Sequence, residues 1–154
     1  MHNIFILTGP VGSGKTTRLI DWALKTDDVY GIATPVIRNN RMIFNISSLE
    51  VFAMEAEEHA VDKISIGKYD FNPYAFEKAV NIIEEAIRLD KGFIVIDEIG
   101  PLELHGHGFS KILKNILSND KRNYNLVLVI RERLLEETLS HFGIVNYKMF
   151  KEIL

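Results

Sequence analysis

The chain has 154 residues, of which 47% are hydrophobic and 25% charged, and its formal net charge is −3. This length suits one domain with its own core, so residues 1–154 are expected to form a single domain. The charge balance gives no basic field for nucleic acid or a membrane surface, and neither is expected as a partner. The lack of cysteine excludes disulfides and thiolate metal sites and fits a cytoplasmic setting. No signal peptide or membrane-spanning run is predicted.

Strands and helices alternate in the predicted order of elements. Short apolar or β-rich runs predict strands at residues 3–8, 29–37, 41–47, 93–97, 125–130 and 144–150. Amphipathic runs predict helices at residues 15–25, 73–89, 109–119 and 131–142. Residues 50–66 fit neither pattern. The alternation predicts an α/β fold with a mainly parallel central sheet flanked by helices, and functional sites at the carboxyl ends of its strands.

Turn and cap residues set several boundaries within this order. Asn72 and Pro73 are the predicted N-cap and first residue of one helix, and Gly143 ends another. The sequence RNN at residues 38–40 predicts the turn of a small β-hairpin within residues 29–47. Pro35 makes the first run of that region an edge strand or a short one.

A glycine-rich stretch, GPVGSGKTT at residues 9–17, follows the first predicted strand and opens the first helix. It satisfies the pattern G-x-x-x-x-G-K-[ST], in which backbone N–H groups and a helix N-terminus surround phosphate groups. Lys15 would reach the β- and γ-phosphates, Thr16 would ligate Mg²⁺, and Thr17 would lie near the α-phosphate. The predicted nucleotide-binding residues are Gly9, Pro10, Val11, Gly12, Ser13, Gly14, Lys15, Thr16 and Thr17.

Two acidic residues end the buried run FIVIDEIG. A lone carboxylate at Asp97 would be costly in a buried strand, and a magnesium ion held through water would explain it. Neighbouring side chains of a strand point to opposite faces. If the chain turns at Glu98, however, that side chain could face the γ-phosphate and orient or deprotonate the attacking water. The alternative is an acid at the strand end that only meets solvent.

Three phrases, GPVGSGKTT, ISIGKYDFNPYAFEKAV and VIDEIGPLEL, resemble the small P-loop nucleoside-triphosphatases of the THEP type, also called cancer-related nucleoside-triphosphatases. The resemblance covers residues 3–118 well. It implies a single-domain protein that splits nucleoside triphosphates to the diphosphate and phosphate with broad base tolerance. It also implies a core of about five strands, with residues 125–130 inserted between the phosphate-loop strand and the acid strand.

The resemblance also carries over site residues. Asp97 serves the metal, Glu98 is the base, and Glu103 is expected to orient Glu98 or an incoming arginine. The family usually has a lysine where this chain has Pro101, and Lys68 is a possible substitute. The segment after residue 120 is more charged than the family pattern.

Several other polar residues allow two interpretations. Arg131, and less so Arg133, could reach the γ-phosphate, or could pair with acids at the start of the following helix. Arg38 and Arg41 flank the hairpin turn and could face a substrate, but an exposed turn is the preferred interpretation. The two histidines of LHGHGF at residues 104–109 give a weak metal signal, and a mobile loop over the site is the preferred interpretation.

Helical spacing predicts that Trp22, Phe76, Leu89 and the apolar positions of residues 109–117 belong to the core.

Three functions remain open. The leading one is a Mg²⁺-dependent nucleoside-triphosphatase with Glu98, Lys15 and Arg131 as its catalytic residues. The second is a small nucleotide or metabolite kinase, which is disfavoured because Arg122 is the only arginine of the segment 104–123 where an arginine-rich lid would lie. The third is a nucleotide-gated switch or binding module whose partner supplies an arginine. The base preference, the physiological role and the oligomeric state are not predicted.

Overall fold

Strands and helices alternate as the sequence predicts, except between residues 29 and 71, where strand follows strand. The structure is a computed structural model that describes residues 2–10, 12–57, 59–66 and 69–151. At residues 66 and 69 it describes the backbone and not the side chains. The helices are α1 (Lys15–Leu24), α2 (Pro73–Leu89), α3 (Pro101–Leu104), α4 (Ser110–Leu117) and α5 (Leu135–Phe142). The strands are β1 (Ile4–Gly9), β2 (Val29–Ala33), β3 (Val36–Ile37), β4 (Asn40–Asn45), β5 (Val51–Ala53), β6 (Ile64–Ile66), β7 (Tyr69–Phe71), β8 (Phe93–Ile99), β9 (Asn125–Arg131) and β10 (Lys148–Met149).

A parallel sheet with the strand order β10-β1-β9-β8-β2 forms the centre of the molecule. Strand β9 pairs with β1 on one side and with β8 on the other. The five-strand core and the inserted strand are therefore confirmed for the part of the chain that the structure describes. The carboxyl ends of β1, β8, β9 and β2 meet at one edge of this sheet, and this brings distant parts of the chain together.

Both faces of the parallel sheet are buried, so its strands are apolar on each side. On one face, Ile94, Ile96 and Leu128 pack among residues of α2 and α4. On the other face, Val95 and Val127 pack against Leu19 and Ala23 of α1. Side chains alternate between the faces because a strand has a period of two. Each fully buried aliphatic side chain contributes about 1.5–3 kcal/mol.

Two of the three named core predictions are confirmed and one is wrong. Phe76 is buried, and Trp22 packs edge-on against Phe93 and Phe150 with ring centroids 5.1 and 4.7 Å apart. Leu89, however, is 51% exposed. It is the last residue of α2, where the helix leaves the sheet and ends at Asp90 in a left-handed conformation.

An antiparallel extension continues the sheet beyond β2. Strand β4 pairs with β2, β3 and β5, all antiparallel, and β6 and β7 form a separate two-stranded ribbon. The predicted run at residues 29–37 is interrupted before Pro35, so β2 is short but is not an edge strand. The hairpin turn consists of Arg38 and Asn39, whose φ angles of 52° and 67° are the left-handed values of a tight two-residue turn.

The C-terminal elements differ from the prediction in two ways. The run at residues 131–142 starts with a 3-10 turn at Glu132–Leu134 before α5 begins. The strand predicted at residues 144–150 reduces to β10, because the chain after Gly143 is still capping α5: Ile144 N–H donates to Leu139 C=O over 2.9 Å.

The predicted helix start at residues 72–73 is confirmed, since the Asn72 side chain accepts from Tyr74 N–H over 3.0 Å. Among the described helices, none combines the length and apolarity needed to cross a bilayer.

Candidate functional site

The glycine-rich loop connects the carboxyl end of β1 to the first turn of α1. Gly14 is the N-cap of that helix with a φ of 81°, a left-handed conformation that a side chain would strain. The Lys15 ammonium folds back over the loop and donates to the Gly9 and Pro10 carbonyl oxygens at 3.3 and 3.2 Å. The lysine is only 9% exposed. Backbone donors, the helix N-terminus and a confined ammonium group together favour an anion at this point.

A cavity of about 240 Å³ lies against this loop. Its lining comprises Gly12, Ser13, Gly14, Lys15, Thr16, Thr17, Thr34, Pro35, Val36, Arg41, Glu98 and Arg131. The structure therefore brings described parts of the predicted nucleotide-binding loop together with two predicted catalytic residues. Of the remaining predicted residues, Val11 and Lys68 lie outside the described part of the chain.

Asp97 of β8 is fully buried and is linked to the start of α1. Its Oδ2 atom accepts from the Thr16 hydroxyl at 3.0 Å and from Thr34 N–H at 2.9 Å. Its Oδ1 atom is also buried and has no hydrogen-bond partner among the described residues. Burial, and next the neighbouring Glu98 charge, raise the pKa of Asp97 to about 6, and the two hydrogen bonds oppose that rise.

These oxygens fit a divalent cation. A buried carboxylate oxygen without a donor is costly, and a cation would compensate that cost. The Thr16 hydroxyl uses its proton on Asp97, which leaves its lone pairs available. Mg²⁺ prefers such oxygen ligands and keeps several waters, so Thr16 and Asp97 are suited to hold it.

Glu98 reaches the same cavity because β8 carries a bulge. The register between β8 and β9 runs from Ile96 opposite Leu128 to Ile99 opposite Ile130, so two residues of β8 face one of β9. Glu98 has a φ of 65°, a left-handed value that costs a residue with a side chain about 1–2 kcal/mol. The sequence predicted that the chain turns at Glu98, at the end of the strand. The strand instead continues to Ile99, and the bulge redirects Glu98 within it.

Two arginines hold the Glu98 carboxylate. Arg131 Nε donates to Oε1 at 2.8 Å, and Arg41 Nη1 lies 3.7 Å from Oε2. Arg41 also donates to the Thr34 carbonyl at 3.1 Å. All three side chains are half-buried, with 17–27% of their surface exposed. Two cations and one carboxylate leave an excess of positive charge facing the cavity.

The position of Arg41 corrects the expectation of an exposed turn residue. A two-residue turn at Arg38 and Asn39 places Arg41 inside strand β4, opposite Val36, and directs it to the site. Arg38 is exposed, as expected. Arg131 pairs with Glu98 rather than with the acids of the following helix that the sequence offered. A two-residue turn within RNN would have predicted that Arg38 lies in the turn and Arg41 in the strand that follows it.

Glu103 does not contact Glu98 or an arginine through any hydrogen bond that the structure shows. Its Oε1 atom accepts from Gly100 N–H at 2.8 Å and its Oε2 atom from Phe109 N–H at 3.0 Å. The loop closes tightly over Glu103. A Cβ at Gly108, where φ is 59°, would collide with Glu103 Oε2. Glu103 thus fixes the backbone that follows the acid pair.

The family lysine position is occupied by Pro101, the first residue of α3. The histidine pair of the neighbouring loop gains no support as a metal site. His105 Nδ1 lies 2.7 Å from the Pro101 carbonyl. Across the described residues, no three His, Cys, Asp or Glu side chains form a group that could hold a metal.

A glycine-rich loop between the first strand and helix of a parallel sheet, facing a buried acid two strands away, defines the P-loop class of α/β proteins. The chain belongs to the NTPase family, whose family model matches residues 4–152. It is therefore an enzyme, a hydrolase acting on nucleoside triphosphates.

Relatives and solved structures agree with this assignment. The chain is similar to the nucleoside-triphosphatase THEP1 of Methanocaldococcus jannaschii, with 32% identity in an alignment that covers 89% of this chain and 95% of the relative. It is similar to the THEP1 of Archaeoglobus fulgidus, with 26% identity over 144 residues, or 90% and 85% of the two chains.

Two solved structures share the fold. The crystal structure of THEP1 from the hyperthermophile Aquifex aeolicus superposes with a TM-score of 0.74 at 24% identity, covering 95% of this chain and 87% of that one. The solution structure of a human cancer-related nucleoside triphosphatase gives a TM-score of 0.65 at 22% identity, covering 97% and 90%. The resemblance drawn from the sequence is confirmed.

The buried Glu103 generates a pH prediction. Desolvation raises its pKa to about 7 in the folded chain, from an ordinary value of 4.5. Its stabilising contribution is therefore complete below about pH 4.5 and is lost as the pH rises through about 7. We expect the free energy of unfolding of the wild type, relative to that of Glu103→Gln, to fall by about 1–3 kcal/mol from pH 5 to pH 8.

Urea denaturation of both proteins at several pH values measures this difference. Asp97 is common to both proteins, so its titration cancels. Parallel pH profiles for the two proteins would contradict the prediction.

Proposed function

We propose that residues 1–154 work as one domain that hydrolyses ATP, GTP and other nucleoside triphosphates, with Mg²⁺, to the diphosphate and phosphate. One observation carries the proposal: the bulge in β8 brings the Glu98 carboxylate into the cavity that Lys15 and Thr16 line. A carboxylate next to an anion-binding loop serves hydrolysis, since it can accept a proton from water that attacks the terminal phosphate.

Binding is proposed to begin at the glycine-rich loop. Backbone N–H groups of residues 9–17 would surround the phosphates, with Thr17 near the α-phosphate. Lys15 would exchange its two carbonyl acceptors for β- and γ-phosphate oxygens, which are stronger partners for an ammonium group. The loop is thus prepared for the anion, because the lysine moves only from one acceptor set to another.

Thr16 and Asp97 are the residues proposed to hold the metal, Thr16 directly and Asp97 through water. When bound, Mg²⁺ neutralises charge that builds up on the phosphate oxygens. The hydrogen bond between the two side chains keeps the hydroxyl oriented and holds the α1 N-terminus next to β8.

Glu98 is proposed to take the proton of the attacking water while the bond from the γ-phosphorus to the bridging oxygen breaks. Arg131 and Arg41 lie at the same carboxylate, where a terminal phosphate would introduce a competing negative charge. We expect both guanidinium groups to turn towards the phosphate, which stabilises the transferring group and releases Glu98 to act as a base.

The alternatives receive less support from the structure. A kinase lid would need arginines facing the phosphates, yet Arg122 is buried and donates to the Ile116 and Asn119 carbonyls at the end of α4. A switch that waits for an arginine from a partner is disfavoured because the chain supplies two arginines to its own site.

The role of Lys15 is tested by nucleotide binding. Wild-type protein at a Mg·ATP concentration of a hundred times Kd should gain about 2.7 kcal/mol of stability. Lys15→Ala should lose this gain, because the anion loses its ammonium partner. Thermal unfolding with and without Mg·ATP measures it, and Lys25→Ala, an exposed lysine at the end of the same helix, is the control. An unchanged shift in Lys15→Ala would refute the assignment.

The role of Glu98 is tested by separating binding from turnover. Glu98→Gln keeps the size of the side chain but cannot accept a proton, so kcat should fall by roughly 10²–10⁴-fold while Mg·ATP still stabilises the protein. Phosphate release from ATP, GTP, CTP and UTP, with and without Mg²⁺, measures kcat and the base preference. Glu84→Gln on the exposed face of α2 is the control. Normal turnover in Glu98→Gln would place the base elsewhere.

The two hairpin arginines provide a matched pair of variants. Arg41→Gln should lower kcat by about 10²-fold, because it removes a charged donor from the site. Arg38→Gln removes the same charge three residues away, on the exposed turn, and should leave kcat unchanged. Phosphate release under saturating nucleotide measures both, and equal effects of the two substitutions would contradict the assignment of Arg41.

A further inference from the structure

A second cavity, of about 500 Å³, adjoins the one beside the glycine-rich loop. The two cavities share Val36, Arg41, Glu98 and Arg131 in their linings. The second cavity contains no residue of the loop at 12–17 and extends from Glu98 to the opposite side, between β4, β7 and α3. A nucleotide bound at the loop would leave it accessible, and its volume falls in the range of small-molecule sites.

The inner wall of the second cavity is apolar and partly aromatic. It includes Met54, Phe71, Phe76, Leu102 and Phe109. The ring of Phe76 lies 5.9 Å from that of Phe71 and 5.2 Å from that of Phe109, measured between centroids. These rings and Leu102 form a surface against which a flat apolar group can pack.

The rim of the second cavity carries three arginines and three carboxylates, so its formal charges balance. Arg41, Arg131 and Arg133 line it together with Glu55, Glu98 and Glu103. Glu55 and Glu103 already accept backbone N–H groups, from Arg41 in the first case and from Gly100 and Phe109 in the second. Glu98 is shared by Arg41 and Arg131.

Arg133 therefore differs from the other two arginines. It is exposed, and within the described residues no carboxylate forms an ion pair with it. An apolar wall opposite an arginine without a carboxylate partner is complementary to an organic anion.

We propose that the second cavity binds a small aromatic anion at the same time as the nucleotide, with its ring against Phe76 and its anionic group on Arg133. The adjacency to the terminal phosphate rests on the proposed function. A ligand there lies beside Glu98 and hinders the approach of water, so it lowers kcat without competing with the nucleotide. The site thus regulates turnover by a second small molecule.

The probe for this test is 8-anilinonaphthalene-1-sulfonate, an aromatic anion whose fluorescence rises in apolar surroundings. It is titrated into the full chain in the presence of saturating Mg·ADP, so that the glycine-rich loop is occupied. We expect saturable binding of one probe per chain, and a Kd that Arg133→Glu raises at least roughly tenfold because it reverses the charge. Arg88→Glu, at an exposed position in the last turn of α2, should leave Kd unchanged.

Competition identifies the anionic group. Phenyl phosphate and indole-3-acetate are each titrated against the bound probe, and displacement by one of them assigns a phosphate or a carboxylate. In ATP hydrolysis, the displacing compound should reduce kcat with the KM for ATP unchanged. Circular dichroism of Arg133→Glu checks that the variant is folded.

Three results would overturn the proposal: equal probe affinity in wild type and Arg133→Glu, complete displacement of the probe by Mg·ADP, or no displacement by either acid. The last would show that the probe merely detects apolar surface. The probe reports binding without turnover, so its result stands even if Glu98→Gln proves to hydrolyse ATP normally and the proposed function fails.

Discussion

The hydrogen bond from the Thr16 hydroxyl to the buried Asp97 carboxylate is the contact on which the arrangement of the site depends. It joins the first turn of α1 to β8, although β9 lies between β1 and β8 in the sheet. Thr34 N–H donates to the same carboxylate oxygen from the end of β2. One buried acid thus ties the first turn of α1 and the end of β2 to β8 at the carboxyl edge of the sheet. Burial of the Asp97 carboxylate is costly unless its Oδ1 atom also finds a partner, and a cation would supply that partner.

Glu98 is the residue after Asp97 in β8, and the direction of its side chain depends on the bulge. The side chains of residues 97 and 98 would point to opposite faces in a regular strand. The bulge holds Glu98 in a strained backbone conformation and brings its carboxylate into the cavity beside the loop. Strain of this kind persists only where the surroundings hold it. Here the paired arginines on one side and the Glu103 hydrogen bond to Gly100 on the other provide that support.

Positive charge reaches the site from separate parts of the chain. Lys15 comes from the loop, Arg131 from the end of β9 and Arg41 from the hairpin beyond β2. A terminal phosphate would meet all three, and Glu98 would then compete with it for the arginines. In the proposed mechanism, binding of the substrate would release Glu98 through this competition. The same arginines border the second cavity, so a ligand there would act on the same balance of charge.

The sequence alone determined the features that depend on residues close together in the chain. The glycine-rich loop, the apolar strand that contains Asp97 and the capped helix from Pro73 could be read directly, because turn geometry, alternation and capping act over a few residues. The order of the inserted strand came from the family resemblance. The backbone partners of Glu103 lie three and six residues away, and the shortness of β10 follows from the cap of α5, so these features are local although the sequence did not predict them. Only tertiary packing decided the approach of Arg41 to Glu98, the bulge at Glu98 and the exposure of Leu89, because each depends on which distant segment lies alongside.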